Sequence, residues 1–107
     1  RAAIDDTARA DRASAVLADV VRKDPSNAQA RNAAGAAFMG RGDLWTAREH
    51  LLEAVQLSPD LADARYNLGQ VLYHGTPRDL EGAREHYRRA VELGATRDPE
   101  FEKLIGE

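Results

Sequence analysis

The chain has no cysteine, so it has neither a disulfide framework nor thiolate chemistry, and its redox compartment is left open. Aromatic residues make up only 6% of the 107 residues, although 43% are hydrophobic, much of that alanine. A single compact core built from such side chains would be thin. No apolar run approaches the roughly 18 residues that a membrane span needs, and no segment reads as a signal peptide; membrane insertion is not expected. Basic charge is not in excess either: the net charge is −3 and the pI near 5.6. Phosphate recognition wants a basic face, so nucleic acid is not expected as a partner.

The usual chemical constellations are missing as well. A serine nucleophile needs a base within reach, but Ser14, Ser26 and Ser58 fall in a helix and two turns with no histidine near them in sequence. Gly40-Arg41-Gly42 is a turn between helices, not a glycine-rich phosphate loop. His50 and Glu53 have an i, i+3 spacing that suits a metal ion, yet two further ligands at matching distance are wanting. We therefore expect no catalytic residues, no cofactor and no metal. An enzyme would need an unseen cofactor or a site pooled across chains.

What the chain does contain is a pattern of small residues. In the stretch 28–61, Ala34 and Gly35 lie mid-way along one helical segment and Ala47 near the start of the next. Two helices in a tight hairpin need small side chains where their backbones come closest. Phe38 and Leu51 fill the space beside that contact, and Ala54 leaves a shallow spot for the next hairpin. Gly40 and Gly42 break the first helix, and Ser58-Pro59-Asp60 ends the second and starts a third. The spacing then recurs. Gly69 lies 34 residues after Gly35, Ala47-Arg48-Glu49-His50-Leu51 returns as Ala83-Arg84-Glu85-His86-Tyr87, and Glu53-Ala54-Val55-Gln56-Leu57 returns as Arg89-Ala90-Val91-Glu92-Leu93.

A 34-residue period with small residues at these points resembles the tetratricopeptide repeat (TPR). The signature positions of that family fall on Arg31, Ala34, Gly35, Phe38, Ala47, Leu51, Ala54 and Pro59, and again on Arg65, Leu68, Gly69, Leu72, Ala83, Tyr87, Ala90 and Ala95. Arginine replaces the customary large apolar residue at the first position of both copies; its aliphatic stem can cover the neighbouring hairpin while its head stays wet. The second copy departs in its turn. Ala47 to Ala83 is 36 residues, so the segment 74–79 is two residues longer than its counterpart, and with Gly75, Asp79 and Ala83 it resembles the related Sel-like repeats.

The resemblance implies an all-α fold: an α-solenoid of antiparallel helix–turn–helix hairpins, about six helices in a right-handed superhelical stack. It divides residues 1–107 as one domain into the second half of a preceding repeat (1–26), a repeat (27–60), a repeat with the longer turn (61–95) and a C-terminal capping helix (96–107). Helices are expected over about 8–22, 28–40, 44–57, 61–74, 80–93 and 99–105. In the first, Ala13, Val16, Leu17 and Val20 share the apolar face, and residues 2–7 extend or fray it. Ser26 or Asn27 caps the second and Asp79 the fifth. Phe101 and Leu104 are expected to cover the end of the stack. A chain that opens at an arginine inside a repeat reads as part of something longer. Its arginine and alanine bias suits a GC-rich bacterial source, with cytoplasm or periplasm left open.

Functionally, the resemblance implies a non-enzymatic protein–protein interaction scaffold that binds a peptide or protein partner in its concave groove. The groove positions are Gln29, Asn32, Ala33, Ala36 and Met39 in one copy and Asp63, Tyr66, Asn67, Gln70, Tyr73 and His74 in the next. Amides can hydrogen-bond an extended peptide backbone, and tyrosine supplies contact area at low entropic cost; the same Tyr66 and Asn67 also suit a supporting role in the hairpin. Repeats that clamp acidic chaperone C-termini carry lysine or arginine where this chain has Asn32, Ala36, Tyr66 and Gln70, so no such clamp is implied. His50 and His86 share one repeat offset and are expected on a solvated face. Trp45 aligns with Glu81 and Asp11, and Leu52 with Arg88 and Ala18. Seven residues apart, they share a helical face and offer a second contact, either outward or with the indole folded back over its own hairpin. About three repeats are needed for stability, and this chain has two with two halves. The alternative function is therefore a self-assembling structural module, a homodimer joined through the Trp45/Leu52 strip.

Overall fold

The computed structural model describes the backbone of residues 6–107 and the side chains from residue 8 onward except that of residue 10. The expectation for residues 2–5 lies outside these residues. Among the described residues there are six helices and no strand: α1 (Asp6–Lys23), α2 (Ala28–Gly40), α3 (Leu44–Leu57), α4 (Ala62–His74), α5 (Leu80–Glu92) and α6 (Pro99–Ile105). None is long and apolar enough to cross a membrane.

The helix starts follow from side-chain capping. Asn27, Asp43, Asp79 and Asp98 sit at N-caps, and their side-chain oxygens accept from the backbone N–H groups of Ala30, Thr46, Gly82 and Phe101. Each satisfies a donor that the first turn would otherwise leave unpaired, about 1 kcal/mol apiece. Of the pair Ser26 and Asn27, it is Asn27 that caps. Pro99 occupies the first turn of α6, where its missing N–H costs nothing. The α2–α3 turn closes through Gly42 at φ +84°, a conformation that an L side chain resists.

Neighbouring helices pack as two hairpins, α2 with α3 and α4 with α5, with α1 against α2 and α3 against α4. The small residues mark the close approaches. A Cβ added at Gly35 would stand 2.5 Å from Leu51 Cγ, and one at Gly69 would stand 3.2 Å from the Ala83 carbonyl oxygen. Ala34, Ala47, Ala54, Ala83 and Ala90 are all fully buried. The main core runs from Ala47 and Leu51 through Leu68, Val71, Leu72 and Tyr73 to Ala83, Tyr87, Phe101 and Ile105. A smaller cluster joins Val21 to Ala30 and Ala34, with Leu17 beside it.

Two sequence expectations are corrected. In α1 the inward face is Ser14, Leu17 and Val21, whereas Ala13, Val16 and Val20 are exposed. The reason is the neighbour: α1 packs on α2, and the face corresponding to Ala47 and Ala54 of α3 has no first helix of its own hairpin to meet among the described residues. In α6, Phe101 is buried as expected, but its partner is Ile105 and not Leu104, which is 51% exposed. An i, i+4 pair stacks on one helix face, and over only seven residues one face is all that α6 can bury.

The arginines at the first signature position do more than cover a neighbour with their stems. Arg31 Nε donates to the Pro25 carbonyl at 3.2 Å and Arg65 Nε to the Pro59 carbonyl at 3.0 Å. Each guanidinium thus ties its helix to the turn that precedes it, the same bond made twice one period apart.

Candidate functional site

The first helices of the two hairpins, α2 and α4, lie side by side. Across their shared face Asn67 Nδ2 donates to Asn32 Oδ1 at 3.0 Å. These two amides are half-buried, as are Ala36, Met39 and Gln70, while Gln29, Asp63 and His74 are exposed. Ala33 is half-buried on the same helix, and Met39 packs against the main core. The face therefore has a polar amide row flanked by exposed side chains at both ends.

The tyrosines of α4 are committed inward. Tyr66 donates its hydroxyl hydrogen to Asp98 Oδ2 at 2.6 Å and accepts from Gln70 Nε2 at 2.5 Å. Its ring lies 6.3 Å from that of Phe101, edge to face. Removal from water, reinforced by the bond to Asp98, pushes the Tyr66 pKa up to about 12; the same bond holds the Asp98 carboxyl below its ordinary range. Tyr73 is buried, edge-on to Phe101 at 5.9 Å, with the Arg78 guanidinium 4.0 Å from its ring centroid. Tyr87 completes the cluster, edge-on to Phe101 at 5.6 Å, donating to Glu102 Oε2 and accepting from the Asp98 N–H. Burial raises its pKa. Edge-to-face ring pairs add about 0.5–1.5 kcal/mol each beyond area burial, so the three tyrosines lock α6 onto α4 and α5. Nothing in the sequence spacing linked Tyr66 to Asp98, 32 residues away.

His50 and His86 are half-buried and not on a solvated face, a third correction. His50 stacks on Phe38 with centroids 5.5 Å apart, and its Nδ1 is buried without a hydrogen-bond partner. His86 Nδ1 lies 3.2 Å from Arg65 Nη1 and so accepts from it. In both, desolvation comes first and the nearby arginine, Arg31 or Arg65, second in lowering the pKa. Repeat inheritance explains the shared offset; the neighbours, which sequence did not show, explain the lowered pKa values. Among the described residues no group of histidine and acidic side chains is placed to hold a metal ion. Ser14 is fully buried, with its hydroxyl donating to the Asp11 carbonyl and accepting from Arg41 Nη1.

On the second helices, Trp45 is 67% exposed and Leu52 39% exposed. The indole does not fold back over its own hairpin; Arg48 flanks it instead, with Cζ 5.8 Å from the ring centroid.

Residues 35–75 match a family model described as a TPR repeat. This stretch is a tetratricopeptide repeat. The matched segment begins at the close-packing Gly35 in α2, takes in α3 and ends just after α4, so it spans the junction at which one hairpin meets the next. No curated protein sequence matches the chain. TPR repeats are in general protein–protein interaction modules.

Proposed function

We propose that the chain is a non-enzymatic scaffold that binds a peptide or protein partner along the groove formed by α2 and α4. The observation that carries this reading is the Asn32–Asn67 bond across the two first helices. It brings Asn32 and Asn67 together across the two helices, and with Gln29 and Gln70 on the same helices they would offer amide donors and acceptors suited to an extended backbone. Ala36 and Met39 supply the small and apolar stretch of the groove, and Asp63 and His74 its exposed rim. Tyr66 and Tyr73 shape the floor from beneath, because their hydroxyl and ring faces are engaged with Asp98, Arg78 and Phe101. A net charge of −3 supports protein in preference to nucleic acid as the partner.

The test should leave the tyrosines alone, since replacing them would strip the packing of α6. A pull-down from source-cell extract, read by mass spectrometry, would compare the chain with Gln29→Arg/Asp63→Arg and with Trp45→Glu. All three positions are exposed, so the fold should survive. Loss of a partner with the groove pair alone supports the scaffold.

A second reading has its own observation, the exposure of Trp45 and Leu52 on one face of α3. Under it the chain is a self-assembling module, a homodimer joined through that strip. Recovery of the chain alone, abolished by Trp45→Glu, would favour this reading and sink the groove.

A further inference from the structure

Two departures from the repeat, far apart in sequence, meet at one place. Trp45 stands where the sister repeat has Glu81, and the α4–α5 turn is two residues longer than the α2–α3 turn. In the fold the first turn of α3 and this long turn face each other across a cleft of about 330 Å³. Trp45 and Arg48 form one side, Val71 and Leu72 contribute from the end of α4, and Pro77 and Arg78 come from the turn. The turn is held in place by the Arg78 Nε bond to the Tyr73 carbonyl at 2.8 Å and by the Asp79 N–H bond to the Leu72 carbonyl at 2.8 Å.

The charge in this cleft is unbalanced. Arg22, Arg41, Arg88, Arg89 and Arg97 all pair with carboxylates. Among the described residues Arg31, Arg65 and Arg84 bond to backbone carbonyls, whereas Arg48 and Arg78 also lack a carboxylate partner and each lies against an aromatic ring. Asp79 also lines the cleft, but its Oδ1 is taken up by the Gly82 N–H at the start of α5, where the helix dipole offsets its charge. Two guanidiniums without a carboxylate partner thus line a cleft that Trp45, Val71, Leu72 and Pro77 also line. Tryptophan and arginine around a small apolar pocket are the usual composition of an interaction hot spot.

We propose that this cleft is a second binding site, apart from the α2/α4 groove, for an acidic peptide segment. An apolar side chain of the peptide enters between Trp45 and Leu72, and carboxylates beside it pair with Arg48 and Arg78. The proposal borrows from the scaffold reading only the expectation that the ligand is a peptide.

Trp45 is the only tryptophan, so its emission reports on the cleft directly. The whole chain would be titrated with three probes. These are acetyl-Glu-Asp-Phe-Asp-Glu-amide, acetyl-Lys-Lys-Phe-Lys-Lys-amide, and acetyl-Gly-Ser-Gly-Phe with a free C-terminal carboxylate. At least one carboxylate-bearing probe should shift the emission saturably and bind about tenfold tighter than the lysine probe. The two acidic probes distinguish side-chain carboxylates from a chain end, and either one binding supports the site. Among the described residues Arg48 makes no hydrogen bond or ion pair and only flanks Trp45, so Arg48→Gln should keep the fold and weaken that binding about fivefold or more, whereas Gln29→Arg/Asp63→Arg should leave it unchanged. The outcomes that overturn the proposal are acidic and lysine probes binding alike, Arg48→Gln and Arg78→Gln both without effect, or emission that shifts only with protein concentration, which would put a second copy in the cleft. A groove variant that loses its partner while the cleft still binds separates this proposal from the scaffold reading.

Discussion

The two hairpins share a plan and are filled differently. In α2/α3 the contact is Gly35 under Leu51, surrounded by alanines, with Phe38 and His50 stacked at the side. In α4/α5 the same positions carry Leu68, Gly69 and Tyr87, and the space beside them is packed with Tyr66, Tyr73 and Phe101. The difference shows how a repeat divides its labour. Gly35, Ala47 and Ala54 set how close the helices come and recur as Gly69, Ala83 and Ala90, while the large residues, and Leu68 in place of Ala34, adapt to whatever lies beside each copy. The first hairpin has helices on both sides and carries a single ring stack, Phe38 on His50; the second is closed by α6 and uses a cluster of rings to hold it.

The largest test of that contrast is Phe101→Ala. It removes a buried ring touching three tyrosines and should cost about 3–5 kcal/mol by urea denaturation, with the near-UV tyrosine signal lost. Phe38→Ala, at a half-buried ring in the first hairpin, should cost clearly less; equal costs would show that the aromatic cluster is not what holds the second hairpin. Next comes the pair Gly35→Ala and Gly69→Ala. The first drives a methyl into the fully buried Leu51 and should cost about 1–3 kcal/mol. The second meets the Ala83 carbonyl oxygen at 3.2 Å and otherwise makes ordinary contacts with Tyr87, and it gains up to about 1 kcal/mol of helix propensity, so its change in midpoint should be smaller.

The rings of the second hairpin also predict an alkaline limit. Tyr66 keeps its proton in the folded state up to about 12, whereas an unfolded tyrosine loses it near about 10. The stabilisation is complete below that lower value and is lost as pH rises from it towards the upper one. Absorbance at the tyrosinate band should show late-titrating tyrosine from Tyr66 and Tyr87, with the Tyr66 part lost in Tyr66→Phe. The smallest contrast is between the histidines. His86→Leu takes an acceptor from Arg65 and should destabilise by about 0.5–1.5 kcal/mol, while His50→Leu removes a buried unpartnered nitrogen and should be neutral or stabilising. Both histidines have lowered pKa values, so the folded state disfavours their protonation. Stability should therefore fall as pH drops below about 6.5, and a double His→Leu variant should flatten that slope.

Local chemistry made much of this readable in advance. Capping residues, glycines and prolines act within a few residues of themselves, so the bounds of α2, α3 and α6 could be placed from Asn27, Gly40, Pro59 and Pro99. The close contacts at Gly35 and Ala47 were equally legible, because only a small side chain fits where two helices touch and the 34-residue period repeats the demand. The faces of α1 and α6 were not. Which side of a helix is buried depends on which neighbour is present, and among the described residues α1 packs mainly on α2 while α6 meets the tyrosine cluster.

By itself, then, the sequence determined the helical segments, their pairing into hairpins and the tetratricopeptide spacing, since these follow from short-range sterics and periodicity. Tertiary structure alone decided that Tyr66 bonds Asp98, that Arg31 and Arg65 grip the preceding turns, that Ile105 and not Leu104 is sealed in, and that Trp45 shares a cleft with Arg78. Each of these joins residues whose separation in the chain carries no signal of contact, and each depends on how whole helices come to rest against one another.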